Sequence, residues 1–236
     1  MQLKNIKNHA LALFFPNRCV YCGKVILPEE KLCEDCKTEL PVIANPTCSF
    51  CGASKEDCAC KKQRFYFERI VAPFYYENQI ETAVHRLKFQ DKPYLAKTYA
   101  KDIAKAIQAQ EDFPKIDVIT FIPFTKKQKR ERAYNPSALL AEYLSEELTI
   151  PMEPLLFKMY ETKTQHILPG EARSGNVLGA YEVLETAQVE NKTILLVDDI
   201  KTTGATLNEC AKMLMLKNAA TVIAATFAIT KPKRKK

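Results

Sequence analysis

Closely spaced cysteines constrain this chain more than any other feature. Eight of its nine cysteines lie between Cys19 and Cys60. They form four pairs, of which three have two intervening residues and the last has one: Cys19/Cys22, Cys33/Cys36, Cys48/Cys51 and Cys58/Cys60. Gly23 and Gly52 directly follow the first and third pairs, and a glycine there lets the chain fold back so that both thiolates point at one centre. This spacing predicts zinc knuckles.

Two other uses of clustered cysteines are less consistent with the sequence. A disulfide framework suits a secreted protein, and a thioredoxin-like redox site needs a single CxxC in a βαβ setting. Two four-cysteine sites would use all eight thiolates, with either sequential or interleaved pairing, and the short Cys58/Cys60 pair strains tetrahedral geometry more than CxxC does. No histidine lies within the span, so we expect one or two structural zinc ions that supply the folding free energy of a small module.

The remainder of the chain is long enough for one full domain. With 236 residues and 47% hydrophobic content, a single large core with a small appendage is expected. We divide the chain into a zinc-ribbon module (residues 1–62), a main domain (63–230) and a basic tail (231–236). No apolar run approaches the roughly 18 to 20 residues of a membrane span, and the apolar stretch near the start lacks a signal-peptide cleavage pattern. These features predict a cytoplasmic protein.

Apolar strands alternate with amphipathic helices after the last cysteine pair, a pattern typical of an α/β domain with a parallel sheet. Such a sheet carries its ligand site at the carboxyl ends of its strands. The predicted strands are 116–123, 193–197 and 221–229, and the predicted helices are 95–108, 137–148 and 204–217. A basic loop is expected at 125–135, and residues 157–177, polar and without periodicity, predict a mobile loop or lid.

One strand-loop-helix segment carries a ligand-binding pattern. Asp198 and Asp199 follow the apolar run ILLV, and Lys201, Thr202, Thr203, Gly204, Ala205 and Thr206 come directly before the helix. Backbone N–H groups at a helix N-terminus can hold a phosphate, with added hydrogen bonds from the threonine hydroxyls. The two carboxylates suit the cis-hydroxyls of a ribose and can help hold a divalent ion. The segment therefore predicts a sugar-phosphate site.

Simpler interpretations account for only part of this segment. A helix N-cap explains one aspartate but not the Thr-Thr-Gly-x-Thr that follows, and the GxxxxGK[ST] pattern of a Walker A loop is absent. The segment resembles the fingerprint of type I phosphoribosyltransferases. The whole layout is similar to the ComF family of competence proteins, which join zinc ribbons to a phosphoribosyltransferase-like domain. Further matching motifs are FPNRCVYCG (15–23), LKFQDK (87–92), RAYNP (132–136), TKTQ (162–165) and ARSGNVLGAY (172–181).

The resemblance implies specific roles for residues of this chain. Asp198 and Asp199, the candidate catalytic residues, would bind the ribose of phosphoribosyl pyrophosphate with Mg²⁺, and residues 202–206 its 5′-phosphate. The loop after Pro123 would bind pyrophosphate, and residues 157–177 would form a flexible hood. Residues expected near the pyrophosphate are Arg132, Asn135, Lys163, Arg173 and Asn176. Pro136 departs from the family pattern, in which glutamine is usual.

The resemblance also implies a role in natural transformation, with single-stranded DNA, an uptake helicase and recombination proteins as partners. Basic residues agree with DNA binding: Lys126, Lys127, Lys129, Arg130 and Arg132. Phe65, Tyr66 and Phe67 offer aromatic contacts, although they could equally be core, and the net charge of +7 is also common in proteins that bind no nucleic acid. The alternative is an active salvage or biosynthetic phosphoribosyltransferase. Nothing in the sequence specifies an acceptor pocket, so transferase activity stays open.

Overall fold

A computed structural model describes residues 16–60, 65–159 and 179–232, apart from the side chains of residues 126 and 129. The helices, in chain order, are α1 (Glu34–Thr38), α2 (Asn78–Phe89), α3 (Leu95–Gln108), α4 (Lys126–Glu131), α5 (Pro136–Leu148) and α6 (Ala205–Leu216). The strands are β1 (Arg69–Val71), β2 (Phe74–Tyr75), β3 (Val118–Phe121), β4 (Leu156–Lys158), β5 (Tyr181–Val183), β6 (Thr193–Lys201) and β7 (Thr221–Ile229).

The main sheet is parallel, as predicted, with strand order β1-β7-β6-β3 and β2 also paired with β7. β6 lies between β3 and β7, with Ile194 opposite both Val118 and Val222. The β-branched, apolar composition of β6 and β7 suits strands covered on both faces. The predicted bounds of α3 and β7 agree with the structure, and this α/β architecture confirms the predicted fold class.

Side chains alternate across β6 and enter two cores. Leu195 and Val197 pack with α2, α3 and α5 on one face of the sheet. Ile194 and Leu196 pack with α6 and the antiparallel β4-β5 pair on the other face. Both cores include cysteines of the N-terminal module, Cys19 on the first face and Cys51 on the second. The module therefore packs against both faces of the sheet.

The N-terminal module also covers the edge of the sheet at β1 and β2. We call the part of the chain around Cys19–Cys36 the first ribbon and that around Cys48–Cys60 the second ribbon. Ile70 of β1 donates its N–H to the Ser49 carbonyl at 2.9 Å, and Tyr75 of β2 donates to Pro41 at 2.8 Å. Val42 forms a further antiparallel bridge with Phe74. These contacts satisfy backbone groups that an edge strand otherwise leaves unpaired.

Three local predictions differ from the structure. The expected basic loop contains helix α4, which begins with a capping box in which Thr125 and Gln128 bond each other's backbone N–H. The first residues of the expected lid, Phe157 and Lys158, belong to strand β4, and residues 160–178 lie outside the described residues. Strand β6 extends past Val197 to Lys201. Within the described ranges, no helix has the length and apolar character that crossing a membrane requires.

Candidate functional site

The eight clustered cysteines form two separate groups with sequential pairing. Their members are Cys19, Cys22, Cys33 and Cys36 in the first group, and Cys48, Cys51, Cys58 and Cys60 in the second. Within each group all sulfur atoms lie within 4.8 Å of one another. The Sγ–Sγ distance is 3.4 Å for Cys22–Cys33 and 3.7 Å for Cys51–Cys58. Tetrahedral zinc with Zn–S bonds of about 2.3 Å places its sulfurs about 3.8 Å apart, so both groups fit the metal.

The peptide backbone prepares one thiol of each group for metal binding. Burial favours the neutral thiol of Cys19, but the N–H groups of Cys33 and Cys22 outweigh burial and lower the pKa of Cys19 to about 7. At Cys48 burial is likewise outweighed, chiefly by the Cys51 N–H, and the pKa of Cys48 falls to about 7. Zinc binds thiolates, so N–H groups directed at sulfur favour the metal-bound form.

The first ribbon is held to the main domain by buried polar contacts. Arg86 of α2, 4% exposed, donates to the Cys19 carbonyl at 2.7 Å and to the Val20 carbonyl at 3.0 Å. Tyr21 donates its hydroxyl to Asp102 at 2.6 Å, and its ring stacks on Tyr99 with centroids 5.9 Å apart. The Arg86 guanidinium also offsets the negative charge of a four-thiolate zinc centre beside it.

The predicted acidic pair lies at the carboxyl end of β6, the central strand, where parallel sheets place their ligands. One Asp198 oxygen accepts hydrogen bonds from the Ser137 hydroxyl at 2.9 Å and from the Asp199 N–H at 2.8 Å. One Asp199 oxygen forms an ion pair with the Lys88 ammonium at 2.8 Å. Lys88 lies in the last turn of α2 and Ser137 in the first turn of α5, so three elements meet at the pair. We did not identify Lys88 or Ser137 as site residues from the sequence.

Burial and mutual repulsion change the charge balance of this pair. Burial, together with the neighbouring Asp199 carboxylate, raises the pKa of Asp198 to about 7, although Lys88 opposes the shift. Burial disfavours the Lys88 ammonium, but Asp199 outweighs that effect and raises the pKa of Lys88. The site therefore holds a charged lysine and an aspartate that titrates near neutral pH.

The loop after β6 has the geometry of a helix N-terminus open to solvent. Thr202 and Thr203 are exposed, and the Thr203 hydroxyl accepts the Ala205 N–H at 3.3 Å. Gly204 precedes α6 with φ of 82°, a left-handed conformation that favours glycine. A Cβ there would also lie 3.4 Å from the Phe65 ring. The N-terminus of α6 thus follows an exposed loop, a few residues after the acidic pair in the chain.

Comparison with known proteins agrees with this two-part arrangement. A double zinc ribbon family model matches residues 10–64, and a phosphoribosyl transferase domain model matches residues 135–236. Competence protein F of Haemophilus influenzae is 27% identical over 85% of this chain and 92% of its own length. Competence protein ComFC of Bacillus subtilis is 25% identical over 83% of this chain and 82% of its own length. The chain is therefore similar to ComF-type competence proteins along most of its length.

Two further comparisons are with a DNA utilization protein and with the solved structure of an amidotransferase. DNA utilization protein YhgH of Escherichia coli K12 is 26% identical, over 90% of both chains. Among solved structures, the glutamine phosphoribosylpyrophosphate amidotransferase from B. subtilis superposes with a TM-score of 0.41 at 23% identity. That match spans 61% of this chain and 30% of the enzyme. The sequence matches therefore cover nearly the whole of both ComF-type relatives, whereas the enzyme match is partial.

One residue predicted at the sugar-phosphate site has its side chain elsewhere. Lys201 is 7% exposed, and its ammonium donates to the Cys51 carbonyl of the second ribbon at 3.2 Å. Burial lowers the pKa of Lys201, an effect that the nearby second-ribbon thiols partly offset. The prediction of a Lys201 side chain at the ligand is corrected on this point. Lys201 instead joins β6 to the second ribbon.

The RAYNP motif contains the start of helix α5. Asn135 caps α5 by accepting the Ser137 N–H at 3.0 Å, and its amide donates to the Ile122 carbonyl at 2.9 Å. Pro136 occupies the first turn of α5, where a missing N–H costs no hydrogen bond. Pro136 in place of glutamine is therefore compatible with a helix start that places Ser137 within hydrogen-bond distance of Asp198.

The remaining predicted contacts divide into three sets. Lys127 and Arg130 are exposed on α4, whereas nothing is described of the side chains of residues 126 and 129. Residues 163, 173 and 176 lie outside the described residues. Of the three predicted aromatics, Tyr66 is 50% exposed, but Phe67 is 3% exposed and stacks on Phe65 with centroids 4.6 Å apart. Phe67 is therefore a core residue, and its predicted contact with DNA is wrong.

Proposed function

We propose that this protein is a ComF-type protein that acts in natural transformation, where it binds single-stranded DNA and a phosphoribosyl pyrophosphate-like ligand with Mg²⁺ in the cytoplasm. The relatives that carry competence and DNA utilization names match this chain over most of its length. An uptake helicase or recombination protein would be its protein partner, as the family resemblance implies. The zinc ions have a structural role in this proposal.

The observation that carries the ligand proposal is the position of two adjacent carboxylates directly before a helix N-terminus. Asp198 and Asp199 lie near the carboxyl end of the central strand, and the Thr202–Thr206 backbone leads from that strand into α6. A ribose 5-phosphate has hydroxyls and a dianion at its two ends, so one molecule can satisfy both groups at once. Lys88, which pairs with Asp199 at 2.8 Å, would add a counter-charge for pyrophosphate.

The chemistry of the acidic pair also fits Mg²⁺, which prefers carboxylate and phosphate oxygens and retains several waters. Lys88 already supplies one positive charge to Asp199, and Asp198 has its second oxygen outside the hydrogen bonds described above. When bound with a pyrophosphate ligand, the ion would neutralise charge on the phosphates. The residues of this chain would position the ribose and hold the 5′-phosphate.

Calorimetric titration of phosphoribosyl pyrophosphate in the presence of Mg²⁺ tests this proposal. The wild-type protein should bind the ligand, and the Asp198→Asn/Asp199→Asn variant should bind it at least tenfold more weakly, because each hydrogen bond to a charged group contributes about 1.5–3 kcal/mol. Asp117→Asn is a matched control, since Asp117 hydrogen-bonds the Thr193 N–H at the opposite end of β6. Equal affinity of the double variant and the wild type would refute the assignment.

A working phosphoribosyltransferase is the second candidate, and the same acidic pair and loop support it. Positioning, Mg²⁺ and stabilisation of leaving pyrophosphate are the main requirements of phosphoribosyl transfer. A pyrophosphate-release assay with nucleobases, amines and single-stranded DNA separates the two candidates. Release that depends on an acceptor and is lost in the double variant supports the enzyme, whereas tight binding without release supports the ligand-binding role.

A further inference from the structure

An exposed aromatic ring lies one residue from the ion pair of the candidate site. Phe89, the last residue of α2, is 59% exposed, and Lys88 directly before it holds Asp199. The guanidinium carbon of Arg132 lies 4.7 Å from the centroid of the Phe89 ring and 5.5 Å from that of Phe124. The three side chains form a stack that we call the Phe89 platform: Phe89, Arg132 and Phe124.

The platform is held in place before any ligand binds. The Tyr134 hydroxyl donates to the Leu87 carbonyl, which joins the chain after Arg132 to the end of α2. His85, one turn before Phe89, packs against that ring with centroids 5.0 Å apart. A stacking surface that needs no rearrangement loses little conformational entropy on binding.

The chemistry beside the platform favours a phosphate-linked aromatic ligand. Helix α4 follows Phe124 closely in the chain and ends directly before Arg132, and its exposed Lys127 and Arg130 offer positive charge to phosphates. Proteins that bind single strands combine such charge with exposed rings on which bases stack. Arg132 has a planar guanidinium that stacks on rings and pairs with phosphate, which lysine cannot do in the same way.

We propose that the Phe89 platform stacks a base of single-stranded DNA while the residues of α4 contact the adjoining phosphates. This inference rests on the DNA-binding part of the proposed function and replaces Phe67, which is buried, with a ring that is accessible. A strand on the platform would lie close to the candidate phosphoribosyl site, because Arg132 of the platform is near enough to Lys88 to act on its charge. Single-stranded DNA and phosphoribosyl pyrophosphate would then bind at neighbouring sites on the same surface.

Fluorescence anisotropy with a labelled thymidine oligomer and with an abasic oligomer of the same length tests the platform in the full-length protein. Phe89→Ala should weaken binding of the thymidine oligomer by about 5- to 150-fold, the range measured for loss of one base–aromatic stack. The same variant should leave binding of the abasic oligomer within twofold of wild type. Phe89→Tyr, which keeps the ring, should bind both oligomers like wild type.

Phe50→Ala is the matched control, since Phe50 is another exposed ring, 43% exposed on the second ribbon, outside the platform. It should bind both oligomers like wild type, and Phe89→Ala should retain wild-type affinity for phosphoribosyl pyrophosphate. An equal loss on both oligomers, or no loss with Phe89→Ala, overturns the platform while DNA binding itself stands. Failure of the wild-type protein to bind the thymidine oligomer overturns both the platform and the DNA-binding part of the proposed function.

Discussion

Replacing Lys88 with methionine tests the electrostatic design of the candidate site. The variant keeps an unbranched side chain, one atom shorter than lysine, but leaves two adjacent carboxylates without their cation. Side-chain exposure is 22% for Lys88 and 11% for Asp199, so the pair is largely shielded from water. Breaking a buried pair by removing one partner costs about 3–5 kcal/mol, and the residual exposure of Lys88 places the expected loss near the lower end, about 3 kcal/mol. A fall in melting temperature of roughly 6–12 °C corresponds to that loss in a domain of this size.

Urea unfolding at pH 8, where the carboxylates are ionised, measures the effect. Lys101→Met is the matched control because Lys101 pairs with Glu147 at 3.4 Å on the surface, with side chains 49% and 31% exposed, and such pairs contribute at most about 1 kcal/mol. Adding Asp199→Asn to Lys88→Met should recover part of the lost stability, since it removes the unpaired charge. If Lys88→Met destabilises the protein no more than Lys101→Met does, the proposed role of the ion pair is refuted.

Three further predictions concern pH, metal retention and the ribbon contacts. The pKa of Asp198 is about 7 in the folded protein and about 4 in the unfolded chain, so between these pH values only the folded protein keeps the Asp198 proton. This group therefore makes the free energy of unfolding fall as pH rises from about 4 to about 7. Asp198→Asn should remove that slope from unfolding curves measured across this pH range. A chelator should unfold both ribbons, seen as a loss of circular dichroism and a gain of reactive thiols. Arg86→Met should speed zinc release from the first ribbon and Lys201→Met from the second, each several-fold in a colorimetric zinc assay, because each removes a side chain bonded to that ribbon's backbone carbonyls.

Much of the fold could be predicted because helices and strands have recognisable patterns of apolar residues within short stretches of sequence. The β-branched run of β7 and the apolar spacing of α3 are each confirmed within a residue of their bounds. Helix α4 was missed because residues 126–131 have no apolar periodicity, although Thr125 and Gln128 form a recognisable capping pair three residues apart. The cysteine groups were predicted as a set, and the choice between sequential and interleaved pairing required the three-dimensional arrangement.

The site was less predictable because its contacts connect distant parts of the chain. Lys88 and Asp199 are neighbours only after α2 packs against the sheet, and no local pattern indicates that pair. Lys201 was misassigned because it was predicted in the loop after β6, whereas the strand continues through Lys201. Leu195 and Val197 share a core with Ile200, so the side-chain pattern shifts between Val197 and Ile200, and Lys201 then faces the second ribbon.

Because the two ribbons cover β1 and β2, the zinc sites also protect the edge of the sheet from self-association. Loss of zinc would uncover the N–H groups of Ile70 and Tyr75 together with the apolar side chains beside them. An uncovered edge strand is a template for pairing with another chain, so zinc shortage would produce self-association before it produced a soluble, ligand-binding fragment. During slow chelation, light scattering after size exclusion should therefore detect oligomers while circular dichroism still shows the helical signal to which α5 and α6 contribute.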